Sequence, residues 1–475
     1  MFGAAHPLVS IFPCFCVSLV NRNGDSSRSL LLLAVFALGF ASLSAQIVFL
    51  RELMALFYGN ELSLGIALGA WLFWNGAGSL LGGRLADHLR APLRLFVFAP
   101  LLLAPLLPAT LLAIRSVRPL LGLFPGQVIG FVRIFESAFP ILAPFCLLNG
   151  CLFSLACAAD ARLRSLPSEG LWIGFVYAAE ALGAVAGGLL ASLLLIRLLS
   201  PFALVFLLAG LPLAAGAALA FSRRGGGAEK TVLALAILLF ALTLARSVPA
   251  RLEISSLRRE WRGLGLERVE NTPYGNLVLT AREGQVSIFE NGVLSFTRPD
   301  PAAAEEAVHF PLLMHPGPRR VLLIGGGMGG ALEEILKYPT VEQAVYVEID
   351  PGIVRLAETG LKPEERAFLD DPRVEVVNTD GRRHLLSSVR YDSIIVNLPD
   401  PFTAQINRFY TREFFALSRR CLAPGGTLGI AASGAENYIG GELQNYLSCL
   451  LSTLASAFPH VVALPGETCR FVASD

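Results

Sequence analysis

Four short pieces of this chain place glycine and acidic residues at spacings that suit a nucleoside. The run VLLIGGGMGG, Val321 to Gly330, sends four apolar residues straight into a glycine cluster. That is the pattern of a buried strand whose end must pass close to a ligand. The glycines satisfy G-x-G-x-x-G at Gly325, Gly327 and Gly330, with Met328 among them. Glu348 ends the next apolar run, where a carboxylate can accept from a ribose diol. Asp380-Gly381 closes a third run and suits an exocyclic adenine amine. Asn397-Leu398-Pro399-Asp400-Pro401 closes a fourth. Each residue alone reads as a solvated loop end, and the glycine pattern alone fits NAD or FAD nearly as well as an S-adenosyl nucleoside. Together they describe a nucleoside pocket, because ligands of open α/β sheets bind outside the carboxyl ends of the strands.

These pieces require a parallel sheet. After a helix over 302–314 come strand VLLIG, helix 329–338, strand AVYVEID, helix 351–360, strand VEVVN, helix 380–388, strand SIIVN, helix 410–421, strand TLGIAA and helix 438–456. The alternation predicts a doubly wound α/β sheet. Two last strands, HVVALP and CRFVAS, lie so close in sequence that they must pair antiparallel. That ending is the one an S-adenosylmethionine-methyltransferase-type sheet has. Upstream, ERVEN, YGNLVLTA, QVSIFE and VLSF, broken by turns, predict a small N-terminal antiparallel β unit over 267–300.

The rest of the chain has a different solvent. Of 475 residues, 54% are hydrophobic and 16% charged, with a mean hydropathy of +0.60. This is too apolar for one soluble domain, and the charges concentrate after Arg246. Apolar runs near 29–50, 62–83, 94–114, 135–158, 171–196 and 200–221 approach the ~20 residues a spanning helix needs, with a shorter seventh at 231–245. The expected organisation is a tail (1–28), an α-helical transmembrane bundle of about seven helices (29–246), a linker (247–266), the β unit (267–300) and the nucleoside domain (301–475). Pro7 to Val20 is too short to span and lacks the basic flank and cleavage site of a signal peptide, so it reads as a disordered or interfacial tail. Gly65/Gly69, Gly78/Gly82 and Gly183/Gly187 predict close helix contacts. Gln46, Arg51, Glu52, Glu61, Asn75 and Glu180 need partners inside the apolar zone; Arg51 with Glu52 or Glu61 is the expected pair, and Glu180 is expected to hydrogen-bond to a neighbouring helix. Arg22, Arg28, Arg84, Arg90, Arg94, Arg162, Arg164, Arg223, Arg224 and Lys230 outnumber Arg51, Arg115, Arg118, Arg133 and Arg197, which places the first set on the cytoplasmic side. Seven spans then put the polar half outside, and an interfacial 231–245 puts it inside.

A net charge of +1 without any basic stripe excludes nucleic acid as a partner. The eight cysteines form no C-x-x-C pair and lie beside no histidine at ligand spacing, so no metal site is expected.

On these residues the polar half resembles the spermidine synthase (polyamine aminopropyltransferase) family. The similar run starts near Tyr274-Gly275-Asn276 and continues through HFPLLMHPGPRRVLLIGGGMGG, VEQAVYVEIDPGIV, DPRVEVVNTDGRRHL, YDSIIVNLPDP and FYTREFFALSRRCLAPGGTL. With its apolar first half the chain looks like the membrane-fused spermidine synthase-like proteins of bacteria. The resemblance implies a multi-pass protein of the bacterial inner membrane that partners the lipid bilayer and a polyamine or other small amine; it is compatible with a homo-oligomer. Decarboxylated S-adenosylmethionine, or S-adenosylmethionine, is the implied co-substrate, with no metal. Its site carries over to Gly325, Gly327, Met328, Gly330, Glu348, Asp380 and Gly381. Asp400 and Asn397 fall at the catalytic positions, and Glu305, His309 and Tyr410 at the substrate.

The departures are chemical. The family's glycine run holds an aspartate for the aminopropyl amine where this chain has Met328. Its D-x-x-D-P begins with an aspartate where this chain has Asn397, and its substrate tyrosine falls near Ala303. A buried ammonium without its carboxylate costs about 2–5 kcal/mol, and loss of a general base costs roughly 10²–10⁴-fold in rate. Ordinary putrescine aminopropylation should therefore be weak unless Asp400, Glu305 or Glu306 substitutes. An S-adenosylmethionine-dependent methyltransferase and a non-catalytic polyamine or nucleoside sensor on a transporter-like bundle are the alternative readings; an NAD-dependent oxidoreductase is more distant.

Overall fold

A helix satisfies the backbone polar groups of a long apolar run within the run itself, and the apolar half takes that form. The computed structural model describes residues 23–59, 61–124, 130–163, 169–223, 226–387 and 389–475. They form two compact units, one built mainly from helices that precede Trp261 and one mainly from Trp261–Asp475, the latter taking in Met54–Leu62 as well. The tail over Pro7 to Val20 lies outside the described residues.

The helical unit comprises α1 (Asn23–Leu56), α2 (Glu61–His88), α3 (Pro92–Phe98), α4 (Pro100–Leu121), α5 (Phe131–Leu163) and α6 (Glu169–Leu190). A π turn, Ala191–Leu195, leads into α7 (Ile196–Leu198), followed by α8 (Pro201–Ser222), α9 (Gly227–Ala245) and α10 (Val248–Glu260). Among the described residues seven helical stretches are long and apolar enough to cross a membrane, Gly227–Ala245 being the shortest.

Small residues set the helix contacts. A Cβ on Gly183 would lie 2.0 Å from the Phe36 carbonyl oxygen, on Gly78 2.2 Å from that of Leu147, and on Gly150 2.1 Å from that of Asn75. These approaches join α6 to α1 and α2 to α5 at backbone distance. Gly65 and Gly69, expected at a contact, are not: a Cβ on either meets nothing within 4 Å. Asn149 Nδ2 donates to Asn75 Oδ1 (2.8 Å) and Ser42 Oγ (3.1 Å), a polar link that helix packing in lipid commonly uses.

One expectation needs correction and another is incomplete. Glu52, whose charge acts on Arg51, also takes a cation from another helix: Arg115 of α4 donates from Nε to Oε2 (2.7 Å) and from Nη2 to Oε1 (2.9 Å). Arg115 also reaches Glu253 (2.7 Å) and Ser256 (2.9 Å) of α10. Residues 247–266 therefore are not a simple linker; α10 is a helix held by a buried ion network. Arg115 and Arg118, 5% and 1% exposed, are buried side chains and not loop charges.

In the second unit β1 (Leu266–Asn271), β2 (Asn276–Arg282), β3 (Gln285–Glu290) and β4 (Val293–Arg298) form an antiparallel sheet in sequence order. Next comes α11 (Pro301–Leu313), whose first turn is capped by the Asp300 side chain. The main sheet contains β5 (Arg320–Ile324), β6 (Gln343–Glu348), β7 (Val374–Asn378), β8 (Tyr391–Val396), β9 (Leu422–Ser433), β10 (His460–Leu464) and β11 (Thr468–Ser474). Between the strands lie α12 (Ala331–Leu336), α13 (Pro351–Gly360), α14 (Gly381–His384), α15 (Ala404–Asn407), α16 (Arg412–Cys421) and α17 (Gly441–Ala455). Strand order is β10-β11-β9-β8-β5-β6-β7, with β11 antiparallel to both its neighbours.

Both faces of β5 and β6 are covered, which is why their apolar runs do not alternate. Leu322, Ile324, Val345 and Val347 join one core with Phe414 and Phe415; Val321, Leu323, Ala344 and Tyr346 join the other with Val308 and Leu332. The helix expected over 380–388 is a single turn, because Leu385 (2% exposed) turns into the core. The chain order reverses between β5 and β8, so the topological switch point lies there.

The glycine contacts give a paired test. Gly150→Leu should destabilise the detergent-solubilised chain by about 1–3 kcal/mol, the usual cost of overpacking, while Gly65→Leu leaves the thermal midpoint unchanged; equal midpoints for both would remove the contact.

Candidate active site

The glycine turn after β5 is shaped by what crowds it. Gly325 and Gly326 have φ of 74° and 62°. A Cβ on Gly325 would lie 2.4 Å from Leu398 Cδ2, and one on Gly326 2.3 Å from Asn397 Nδ2. The Asn397 N–H donates to the Ile324 carbonyl (2.9 Å), locking the turn to the end of β8. Gly327 is required for a different reason: its Cβ would sit 2.7 Å from the Tyr346 ring. Tyr346 is two residues before Glu348 on β6 and so shares its face. Its hydroxyl donates to Glu348 Oε2 (2.8 Å), and the Asp350 N–H donates to Oε1 (3.2 Å). Burial pushes the Glu348 carboxyl above the usual range, against these hydrogen bonds. Asp350 Oδ1 in turn accepts from the Gly352 N–H (2.8 Å) and Oδ2 from Thr272 Oγ1 (2.5 Å), which ties α13 to the small β unit.

Asp380 caps α14 by accepting from the Arg383 N–H (3.0 Å), and its second oxygen pairs with Arg408. Each oxygen keeps a further lone pair for an adenine amine. Gly381 is needed because a Cβ there would meet Ile324 at 2.8 Å and Phe409 at 3.1 Å.

Asp400 is held tightly. Oδ1 accepts from the Ser433 N–H (2.9 Å) and the Tyr446 hydroxyl (3.2 Å), and the Ser433 hydroxyl donates to Oδ2. Burial, then the nearby Asp400 charge, pushes the Tyr446 hydroxyl well above its usual pKa, so it stays a donor. Carboxylate oxygens offer about four lone-pair sites, which leaves one on Oδ2 for a proton from substrate.

Thus the described structure brings Gly325, Gly327, Gly330, Glu348, Asp380, Gly381, Asn397 and Asp400 to the carboxyl ends of β5 to β8. Four expected residues lie differently. Met328 is 1% exposed and its side chain belongs to the core cluster that holds Phe296 and Ile353. The ring of His309 is engaged by Tyr338 Oη (2.8 Å) and Glu334 Oε2 (3.1 Å), partners in and just after α12, and Glu305 is exposed on the same side of α11. Tyr410 is buried just before α16 and does not open it; its hydroxyl donates to the Pro399 (3.1 Å) and Ala431 (3.0 Å) carbonyls, so it holds the Asp400 loop. Sequence reasoning missed Tyr346, Arg408, Ser433 and Tyr446. The i, i+2 spacing to Glu348 was a signal for Tyr346; the others act across 28, 33 and 46 residues, with no sequence signal.

Comparison with known proteins bears on the family of the chain. Residues 301–465 match the model of the Spermine/spermidine synthase domain. A polyamine aminopropyltransferase of Pyrobaculum calidifontis is 33% identical over 207 residues, covering 42% of this chain and 71% of its own. One from Mycobacterium tuberculosis is 28% identical over 427 residues, covering 85% of this chain and 77% of its own, so that similarity extends into the helical half. A solved spermidine synthase in complex with the transition state analogue AdoDATO covers 44% of this chain and 73% of its own at 24% identity and a TM-score of 0.39. The chain belongs to the spermidine synthase (polyamine aminopropyltransferase) family and is a transferase.

Proposed function

We propose that the chain is a multi-pass protein of the bacterial inner membrane that transfers the aminopropyl group of decarboxylated S-adenosylmethionine to a small amine. The observation that carries this reading is Asp400, a carboxylate fixed by Ser433 and Tyr446 at the end of β8, next to the strand whose glycine turn and Glu348 neighbour suit the nucleoside. The acceptor nitrogen attacks the methylene carbon beside the sulfonium. A C–N bond forms, the S–C bond breaks with its electron pair left on sulfur as a thioether, and the ammonium proton passes to Asp400 Oδ2. Positioning and one base are all this displacement needs.

Two substitutions tune the rate. The Asn397 amide, lodged against Gly326, hydrogen-bonds an amine without accepting its proton. Core burial of Met328 leaves the aminopropyl ammonium without a carboxylate from the glycine turn. That same burial favours a second reading, methyl transfer from S-adenosylmethionine, which calorimetric preference for that cofactor over the decarboxylated one would support.

Glu290, at the end of β3, adds a carboxyl beside the ribose end of the site. Burial, then the charges of Glu348 and Asp350, pushes it up to about 7. It therefore changes charge near neutral pH, beside Glu348.

Two measurements check this reading. Release of 5′-methylthioadenosine from decarboxylated S-adenosylmethionine should fall roughly 100-fold or more in Asp400→Ala and rise with putrescine in Asn397→Asp; unchanged release in the alanine variant removes Asp400 as base. For Glu290 the folded pKa lies above the ordinary 4.5, so its contribution to stability is complete below about 4.5 and is lost as pH rises through about 7. Thermal midpoints of the wild type should decline over that window more than those of Glu290→Gln; parallel curves would contradict the assignment.

A further inference from the structure

Arg470 has no role in the chemistry above. It lies on β11 opposite Ala431 of β9, and cross-strand partners share a sheet face. Ser433, two residues on from Ala431, points to that same face and holds Asp400. Helix α11 covers it, since a Cβ on Gly429 would lie 2.7 Å from Pro311 Cγ. The Arg470 side chain is only 13% exposed, yet it is poorly matched. Its Nε is buried with no hydrogen-bond partner among the described residues. Its Nη2 is 3.8 Å from Glu306 Oε2, and that glutamate is 54% exposed. The Tyr410 hydroxyl donates to the Ala431 carbonyl beside it.

A buried guanidinium normally holds a carboxylate through two parallel N–H bonds of about 2.7–2.9 Å. A single half-exposed glutamate at 3.8 Å is a weak partner. Leaving such a cation under-paired costs stability unless something else completes it. Met328 and Asn397 meanwhile stand where the resemblance places two carboxylates, one that holds the aminopropyl amine and one that takes the proton of the attacking amine. The site has thus exchanged carboxylates for a buried cation on the Asp400 side.

Building on the proposed transferase reading, we infer that the acceptor is an amine bearing a carboxylate, an amino-acid-type diamine, and that Arg470 binds this carboxylate while Asp400 receives the proton of the attacking amine. Arg470 is then a specificity-determining residue. The α-carboxylate of S-adenosylmethionine is the other source of the same chemistry, but Arg470 sits on the side of Asp400 and Ser433, with β9 and β8 between its strand and β5 with its glycine turn.

Ornithine, which is putrescine with one added α-carboxylate, is the probe. Binding of both diamines to the full chain in detergent, saturated with 5′-methylthioadenosine, is measured by calorimetry. Wild type should bind ornithine at least about tenfold more tightly than putrescine, one charge-assisted pair's worth. Arg470→Gln should abolish the preference, Arg470→Lys should keep part of it, and Glu306→Gln should strengthen it. Equal binding of the two diamines, a preference that survives Arg470→Gln, or an Arg470→Gln variant that weakens S-adenosylmethionine and leaves ornithine unaffected would each overturn the inference. Turnover is read separately: an Arg470-dependent ornithine preference without methylthioadenosine release from any amine leaves the anion site standing and defeats the transferase reading instead.

Discussion

A methyl group on Gly325 or Gly326 would occupy space already filled by Leu398 and Asn397. That exclusion is the constraint on which the site depends. It presses the turn after β5 against the segment after β8, so the loop suited to the nucleoside and the loop carrying Asp400 are built as one piece. The same crowding continues one strand over, where the Tyr346 ring lies under Gly327 and its hydroxyl orients Glu348. Glycines here do more than permit a tight turn; they let three strand ends converge.

Charge placement follows from burial. Glu348, Asp350 and Glu290 gather where β6 meets the small β unit, and desolvation raises the pKa of Glu348 and Glu290 there. At the other end Asp400 accepts three hydrogen bonds, and Arg470 brings a cation to the same face. The site is acidic at its nucleoside end and mixed at its acceptor end. In the helical unit the equivalent problem is solved by Arg115, which satisfies Glu52, Glu253 and Ser256 at once.

How much of this was legible in the sequence depended on the range of each interaction. Apolar run lengths and their alternation with helices are local signals, and the sheet with its antiparallel last pair follows from them. Residues at strand ends are also legible, since a glycine cluster or an acid closing an apolar run has few other readings. Side-chain direction was not. Met328 sits in the motif yet points into the core, because the 3₁₀ turn at Gly327–Gly329 rotates it inward. His309 sits on a helix before the motif, but its ring is taken up by Tyr338 and Glu334. The linker was misread because α10 is polar outside and is held by ion pairs to residues more than a hundred positions away, for which no periodicity exists. Gly65 and Gly69 carry the same spacing as Gly78 and Gly82, and only packing distinguishes them.

The central claim is that Glu348, oriented by Tyr346, grips the sugar of an adenine nucleoside lying over Gly325–Gly330. Calorimetric titration of 5′-methylthioadenosine into the full chain, wild type against Glu348→Ala, tests it most directly. The account predicts saturable one-to-one binding that weakens at least about tenfold in the variant, the loss of a pair of charge-assisted hydrogen bonds. Equal affinity in both proteins, or no binding to the wild type, would contradict it.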